Sequence, residues 1–485
     1  MTLALVPFLI VVLGILAILA LDLVKPSATR SYSIALVSTS TALMVEIVAT
    51  LYGKVAVWAP VDRVLEFDPL AQGFACLALF LAFLGIGISR EAFKEEETHS
   101  GEYYSLLLTA TLGAMLVTHA EELLTFFLAF ELLSIPLYIL AGFRRYNRRS
   151  AEAGLKYFLS GALSSAMFLF GASWVYGASG STHFKELLSS YSQGHEQPLI
   201  LGILMVLGAF AFKISAAPFH MWAPDTYEGS PIPVAAFLSS VPKVAMLAAS
   251  IRLFMPLTDR LSDELMLLLA ALSVLSIIMG NLVAITQSEL TRMAAYSGVA
   301  QIGYLLIGLS ALVGLEGSGQ HDLTQEALGS LFFYLLVYTV TNVAFWLILL
   351  TVGKSRRSTQ LDAFNGLSQT NPFLSFCLMI AAFSLAGVPP TAGFIGKLYL
   401  FRMALYSQPM MAFFGVLGSV ISLYYYFNIL KRCYFLKPDE KVEPVETTFS
   451  TQALMALLLV LTFAGGLYPK FGQACFFLAE RMLIQ

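Results

Sequence analysis

The stretch KISAAPFHMWAPDTYEGSPIP, residues 213–233, places a lysine and a histidine among prolines in an apolar region. Pro218 removes an amide donor and is expected to kink or open a helix beside Lys213. Opened backbone at membrane depth is tolerated only where protein or a water-filled cavity satisfies its polar groups. The stretch therefore predicts a broken membrane helix at a place where ions are handled.

The composition of the whole chain predicts the same environment. Of 485 residues, 58% are hydrophobic and 12% are charged, whereas soluble domains carry about 25% charged residues. The mean hydropathy is +0.77, and several apolar runs exceed about 18 residues, enough to span a bilayer. These runs do not alternate apolar and polar residues as the strands of a membrane β-barrel do. We therefore predict an all-α polytopic membrane protein.

Fourteen transmembrane helices are predicted along the chain. The first run has no basic residues before it, which indicates a retained helix and not a cleaved signal peptide. With the amino terminus outside, the inner connections hold sixteen lysines and arginines and the outer connections eight. This bias favours both termini outside. The predicted spans are 3–22, 32–53, 70–88, 103–118, 122–142, 155–177, 198–216, 232–254, 263–283, 293–313, 326–352, 373–405, 410–434 and 450–468.

Several kinds of cofactor site are not indicated by the sequence. Four scattered cysteines without ligand spacing argue against iron–sulfur and structural zinc sites; they are Cys76, Cys377, Cys433 and Cys475. The chain contains no GxGxxG, P-loop or HExxH motif. Dinucleotide, phosphate and zinc chemistry are therefore not expected in this chain.

Five charged side chains lie within or at the margins of predicted spans, namely Glu131, Lys156, Lys213, Lys243 and Lys397. A charge at mid-bilayer costs about 2.5–3.5 kcal/mol, so together they cost on the order of 10 kcal/mol before any pairing. Lys156 closely follows a basic loop, and its amine can extend to the headgroups as a structural anchor. A structural Glu–Lys pair is a second alternative, although buried pairs seldom add net stability.

A proton relay is the functional interpretation of these charges. Desolvation disfavours a charged lysine and a nearby carboxylate favours it, so a lysine under both influences can load and release a proton. Histidine titrates near neutrality and suits the links of such a relay, and His220 lies seven residues after Lys213. We therefore predict a proton relay among these buried groups, and Lys156 is a further candidate for it.

A second interruption occurs in SLAGVPPTAGFIGKLYL, residues 384–400. Lys213 precedes its proline by five residues, whereas Lys397 follows Pro390 by seven. This reversed order fits an inverted repeat, so we predict two inverted five-helix repeats formed by spans 4–8 and 9–13. The predicted domains are a three-helix segment at 1–100, the first repeat at 101–256, the second repeat at 257–436, and a carboxyl-terminal helix with an amphipathic tail at 437–485.

Four segments carry a resemblance to a known family: ELLSIPLYIL, FKISAAPFHMWAPDTYEGSPIPVAAFLSSVPKVA, AYSGVAQIGYLLIG and SLAGVPPTAGFIGKLYLF. They closely resemble the N-type antiporter-like subunits of proton-translocating NADH:quinone oxidoreductase, respiratory complex I. The resemblance covers nearly the whole chain and is firmest over residues 70–434. The lysine of FIGK is similar to that of the N member, since the M member typically carries a glutamate there.

The resemblance implies a role for each buried group. Glu131 looks like the fifth-helix glutamate that pairs with a seventh-helix lysine, and Lys213 looks like that lysine. Lys243 looks like the connecting lysine of the eighth helix, and His220 like a bridging histidine between two half-channels. Lys397 looks like the twelfth-helix lysine that communicates with one side of the membrane.

The resemblance also implies the setting of the chain. It implies a non-redox subunit of a translocating enzyme in the bacterial cytoplasmic membrane, with flavin, iron–sulfur clusters and quinone in partner subunits. The expected partners are other membrane-arm subunits, including antiporter-like sisters, together with lipid and protons, and no nucleic acid. Three alternatives are a sister subunit of a cation/proton antiporter or membrane-bound hydrogenase, a free-standing secondary transporter, and a structural scaffold.

Overall fold

The structure is a computed structural model that describes residues 3–52, 61, 63–92, 99–188, 196–438, 445 and 447–483. The chain is mainly helical within these ranges, and extended pairing there is limited to isolated bridges such as that between Leu65 and Ala120. In a membrane, a helix pairs every backbone group within one segment, whereas strands pair theirs only in a closed barrel. The predicted all-α fold is confirmed.

The helices occur at each of the predicted spans. The first ten α-helices are α1 (Val6–Val24), α2 (Ala28–Tyr52), α3 (Pro69–Ala92), α4 (Ser100–His119), α5 (Leu123–Ala141), α6 (Arg148–Ser179), α7 (Glu196–Lys213), α8 (Trp222–Gly229), α9 (Ile232–Leu238) and α10 (Val241–Phe254). They are followed by α11 (Thr258–Ile285), α12 (Leu290–Gly317), α13 (His321–Arg356), α14 (Leu367–Thr370), α15 (Pro372–Ala386), α16 (Ala392–Ser407), α17 (Pro409–Phe435), α18 (Phe449–Leu467) and α19 (Pro469–Leu483).

Ten helical segments of the described ranges are long and apolar enough to cross a membrane. The chain is therefore a multi-pass membrane protein. The eighth predicted span differs from the structure, because it is divided into α9 and α10. The hydroxyl groups of Ser239 and Ser240 both donate to the carbonyl of Ala236, and Pro242 stands in the first turn of α10. Serine back-bonding and a proline at a helix start together explain this division.

The chain forms two compact units. The first comprises Met1–Ile214, Gly229–Ser262 and Arg481–Gln485. Within it α6 packs closely on α7, because Gly171 and Gly202 face each other across the contact. A Cβ at Gly202 would lie 2.7 Å from the carbonyl oxygen of Gly171. Small residues of this kind let membrane helices approach backbone to backbone.

The second compact unit comprises Ser215–Glu228 and Asp263–Glu480. Its centre is formed by α12 and α13, whose side chains are mostly buried and apolar on every face. Helix α16 packs against both of them, and α15, α17 and α18 complete the surroundings. A helix that is hydrophobic all round belongs in the interior of such a bundle.

A buried charge network ties together four segments of the first unit. Arg252, near the end of α10, lies 2.6 Å from Asp68 and 3.1 Å from Glu121. Lys185 lies 2.8 Å from Glu66 and 3.3 Å from Glu121. The Arg252 side chain is only 5% exposed, so its two carboxylate partners are what compensates its charge.

Replacing Arg252 with glutamine is expected to lower the free energy of unfolding by about 3–5 kcal/mol, because buried carboxylates lose their counter-charge. The measurement is the temperature at which the detergent-solubilised protein loses its monodisperse peak in size-exclusion chromatography. The matched control is Arg145→Gln, which removes an exposed pair with Glu102 at 3.1 Å and is expected to change stability by less than about 1 kcal/mol. Equal melting of the two variants would contradict a stabilising network.

Candidate functional site

Lys213 is the last residue of α7 and is only 2% exposed. Its amine donates hydrogen bonds to the hydroxyl of Ser134 at 2.6 Å and to the hydroxyl of Tyr157 at 3.2 Å. The amine also lies 5.1 Å from the centre of the Phe130 ring and 5.5 Å from that of Tyr138. Neutral hydroxyls and ring faces thus surround a group that is charged when protonated.

Glu131 lies on α5, three residues before Ser134, and is half-buried. Its carboxylate accepts a hydrogen bond from the hydroxyl of Ser165 on α6. The carboxylate is near enough for its charge to act on the Lys213 amine. The structure thus brings Glu131 and Lys213 into one cluster, with each group hydrogen-bonded to a hydroxyl.

Lys156 lies on α6 and points away from this cluster. Its side chain is 47% exposed, and its amine lies 2.8 Å from the Glu152 carboxylate, one turn earlier on the same helix. The next residue, Tyr157, is the one that reaches Lys213. Lys156 and Tyr157 thus point in different directions, as successive helical residues do.

Lys243 lies in the first turn of α10 and is 2% exposed. It follows the division between α9 and α10, and the buried hydroxyls of Ser239 and Ser240 come just before it in the chain. Its backbone amide donates to the carbonyl of Ser240 at 3.1 Å. The structure thus places a second buried lysine at a helix interruption.

The predicted break after Lys213 is confirmed, since α7 ends at that residue and α8 begins at Trp222. Ser215 has a left-handed backbone with φ of 60°. The backbone amide of Ala217 donates to the hydroxyl of Ser276 at 2.9 Å, which satisfies a group that the break leaves open. His220 is 7% exposed, and its ring packs edge-on against Tyr296 at 6.1 Å.

Lys397 lies beside the second predicted break, which separates α15 from α16. Its amine donates to the carbonyls of Leu385 and Ala386, both at 3.0 Å. These carbonyls have no partner within the helix because α15 ends there. The amine also lies 4.4 Å from the centre of the Tyr304 ring. A cation at a helix carboxyl end is favoured by the helix dipole.

The chain is similar to proteins of one known family. The family described as NADH:quinone oxidoreductase/Mrp antiporter, transmembrane, matches residues 120–422. A protein of Moorella thermoacetica named NADH-quinone oxidoreductase subunit N is 37% identical over 456 residues, covering 94% of this chain and 93% of that relative. The chain belongs to the NADH:quinone oxidoreductase/Mrp antiporter family.

Solved structures extend this comparison. A chain of respiratory complex I from Thermus thermophilus, solved with bound aureothin, is 31% identical with a TM-score of 0.79, covering 96% of this chain and 97% of that one. A chain of the Mrp complex from Dietzia sp. DQ12-45-1b is 21% identical with a TM-score of 0.87 over 99% and 97%, which shows the shared fold. The predicted family is confirmed, and the chain is an antiporter-like membrane subunit of a multi-subunit complex.

The carboxylates of the family motif PFHMWAPDTYEGSP have a structural use in this member. Arg292, in the first turn of α12, lies 2.7 Å from Asp225 and 2.8 Å from Glu228. Both carboxylates lie on α8, one turn apart on the same face. The motif thus fixes α8, the short helix that follows the break, to α12 through one guanidinium group.

Several polar partners of the lysines were missed by the sequence reasoning. Gln301 donates to the carbonyl of Leu385 at 2.9 Å and accepts from the hydroxyl of Tyr334. Tyr304 connects Lys397 to Asn281, whose amide donates to the tyrosine hydroxyl at 3.4 Å. Polar side chains within the apolar segment AYSGVAQIGYLLIG could have indicated Gln301 and Tyr304 as buried partners. The one-turn spacing from Glu131 could have indicated Ser134.

A cavity of about 230 Å³ reaches the Lys397 side chain. It is lined by Gly387, Lys397, Phe401, Val416, Val420 and Leu423. Val416, Val420 and Leu423 lie on α17 and are themselves exposed. The lysine therefore lies beside an apolar recess that opens at the surface of its unit.

Replacing Gly387 with alanine is expected to disturb the Lys397 site. Gly387 has φ of 87°, which costs an alanine about 1–2 kcal/mol, and the new methyl carbon would lie 2.9 Å from the Lys397 Cδ. We expect a lower midpoint temperature in size-exclusion chromatography of the detergent-solubilised protein. We also expect a lower rate of proton uptake in inverted membrane vesicles. The control is Gly177→Ala, since no atom lies within 4 Å of that added carbon. A Gly387→Ala variant that matched the control in both measurements would contradict this prediction.

Proposed function

We propose that the chain is an N-type subunit of a complex I-type NADH:quinone oxidoreductase and moves protons across the membrane while other subunits carry out the redox chemistry. The observation that carries the proposal is Lys213, fully buried beside a helix break and held by hydroxyls and rings. Intramembrane lysines that lack a fixed ion pair are costly and are typical of proton pathways.

The first step of the proposed relay is a change in the distance between Glu131 and Lys213. Approach of the Glu131 carboxylate stabilises the protonated Lys213 amine. When the carboxylate withdraws to Ser165, only neutral groups remain to stabilise the charge of the amine. In the structure Glu131 is bonded to Ser165 and Lys213 to Ser134 and Tyr157. This arrangement supports the withdrawn state, in which the Lys213 proton is ready to leave.

The later steps use the remaining buried groups. We assign Lys243 and His220 the intermediate transfers and Lys397 the exchange with one side of the membrane. The resemblance of Lys397 to the twelfth-helix lysine of the family supports that assignment. We assign Lys156 a peripheral role as a proton donor at the surface, since it is half-exposed and paired with Glu152.

The finer architecture belongs to the same proposal. It comprises fourteen transmembrane spans, two inverted five-helix repeats, both termini outside, and a place in the bacterial cytoplasmic membrane. The two helix breaks, each next to a buried lysine, support the repeats. Flavin, iron–sulfur clusters and quinone are assigned to partner subunits, and antiporter-like sister subunits are the proposed neighbours.

A second candidate is a sister subunit of a cation/proton antiporter complex. The fold likeness to the Mrp complex supports it. The proton relay would be the same, and only the assembly would differ. The subunits that co-purify with the chain from native membranes decide between the two, since the first assembly contains a flavin- and iron–sulfur-bearing arm.

Replacing Lys213 with alanine is expected to lower redox-driven proton uptake per electron about tenfold or more. Each factor of ten in rate corresponds to about 1.4 kcal/mol of activation free energy. The measurement is proton uptake in inverted membrane vesicles, with assembly checked on a native gel. Lys431→Ala, an exposed lysine on α17, is the matched control and is expected to pump normally. Normal uptake by an assembled Lys213→Ala complex would overturn the relay and support a scaffold.

Replacing Ser134 with alanine tests the hydroxyl contact separately. A hydrogen bond to a charged group contributes about 1.5–3 kcal/mol, so loss of the Ser134 acceptor is expected to slow proton uptake while assembly is retained. The matched control is Ser173→Ala, since the Ser173 hydroxyl on the same bundle bonds only locally to the carbonyl of Phe170 at 2.7 Å. Identical uptake rates in both variants would show that the contact does not tune Lys213.

A further inference from the structure

Two buried titratable groups outside the lysine sites face each other in the first unit. Glu46 on α2 is 1% exposed, and His119, the last residue of α4, is fully buried. The Nε2 atom of His119 lies 3.9 Å from the Oε1 atom of Glu46. Among the described residues, neither His119 Nε2 nor Glu46 Oε2 has a hydrogen-bond partner. The groups form a pair with unused polar atoms on both sides.

The backbone determines which nitrogen of His119 carries the proton. Its Nδ1 lies 2.8 Å from the carbonyl oxygen of Met115. A carbonyl only accepts, so Nδ1 must donate, and in the neutral ring Nε2 is left with a lone pair. That lone pair faces the carboxylate of Glu46. Two acceptors buried face to face repel each other unless a proton lies between them.

The surroundings offer little other compensation for a bare carboxylate. The rings of Phe8 and Phe67 pack against His119 with centres 5.2 and 5.0 Å away. On α3, the charge of Glu46 acts on the Cys76 thiol, and the Thr50 hydroxyl lies 3.9 Å from the sulfur. The charges of Arg252 and Asp68 act on His119. A single added proton leaves the Glu46–His119 pair neutral overall.

We propose that Glu46 and His119 share one proton and form a proton-binding site separate from the lysine relay. The proton lies either on the Glu46 carboxyl or on His119 Nε2, whose atoms stand 3.9 Å apart in the structure. Its release leaves a neutral imidazole and one negative charge on Glu46. The site takes up no other atom and needs no co-reactant.

The Arg252 network gives the site a connection to the surface of its unit. The carbonyl of His119 accepts from the amide of Glu66 at 2.7 Å, and Glu121 follows two residues later. Burial raises the pKa of the Glu121 carboxyl, which the charges of Arg252 and Lys185 oppose. Lys185, with 63% exposure, stands at the outer end. Glu121 thus links the exposed Lys185 to the chain segment that carries His119.

Infrared difference spectroscopy of the full-length protein in liposomes tests the site, with H₂O and D₂O buffers stepped through a series of pH values. The wild type is expected to show a carboxyl signal that titrates and shifts in D₂O. Glu46→Gln is expected to lose that signal, and His119→Gln to move its midpoint. Glu152→Gln, an exposed carboxylate on α6, is the control and is expected to keep it.

A Glu46→Gln spectrum that matches the wild type across the series would overturn the proposal. If Glu46→Gln fails to fold, Glu46→Asp keeps the carboxyl and is expected to show the signal with a moved midpoint, whereas an unmoved midpoint in both Glu46→Asp and His119→Gln would also overturn it. The readout needs no electron transfer. The outcome is therefore independent of whether Lys213→Ala pumps in the assembled complex.

Discussion

A helix that breaks inside a membrane exposes amide and carbonyl groups that a continuous helix would pair, and the structure of both lysine sites depends on satisfying them. At the second break, the Lys397 amine itself binds the carbonyls of Leu385 and Ala386. At the first break, the hydroxyl of Ser276 binds the amide of Ala217. Without such partners each open group would cost several kcal/mol in the bilayer. The breaks thus require polar side chains at membrane depth, where an ordinary bundle would carry leucine.

This requirement joins structure and function at Lys397. When the amine loses its proton it keeps two N–H donors, but its hydrogen bonds to the two carbonyls lose the strength that the charge gave them. Gln301, which also binds the carbonyl of Leu385, keeps one of them paired in either state. Proton release at Lys397 therefore changes the stability of the helix end itself. The charge of Lys397 and the stability of this helix end are thus linked.

The sequence predicted the positions along the chain far better than the directions of the side chains. Hydropathy and prolines predicted the helices and the breaks beside Lys213 and Lys397, because these depend on local composition. The family was predicted from the resemblance of four quoted segments. The exposure of Lys156 and the burial of Tyr157 depend on the rotation of α6 about its axis, which a helix that mixes apolar and small polar residues on every face does not reveal. The partners Ser134, Ser165 and Gln301 come from other helices, so only the packing shows what they bind.

Two buried cations of the first unit, Arg252 and Lys213, differ in the groups that stabilise their charge. Arg252 is fixed by direct contacts with Asp68 and Glu121, and a guanidinium group keeps its proton at any physiological pH. Lys213 binds hydroxyls and rings, which stabilise a charge without cancelling it. An amine paired directly with a carboxylate would be held protonated, and an amine among aliphatic side chains would stay neutral. Neutral polar partners leave both states accessible, so in the proposed relay a small displacement of the Glu131 carboxylate would choose between them.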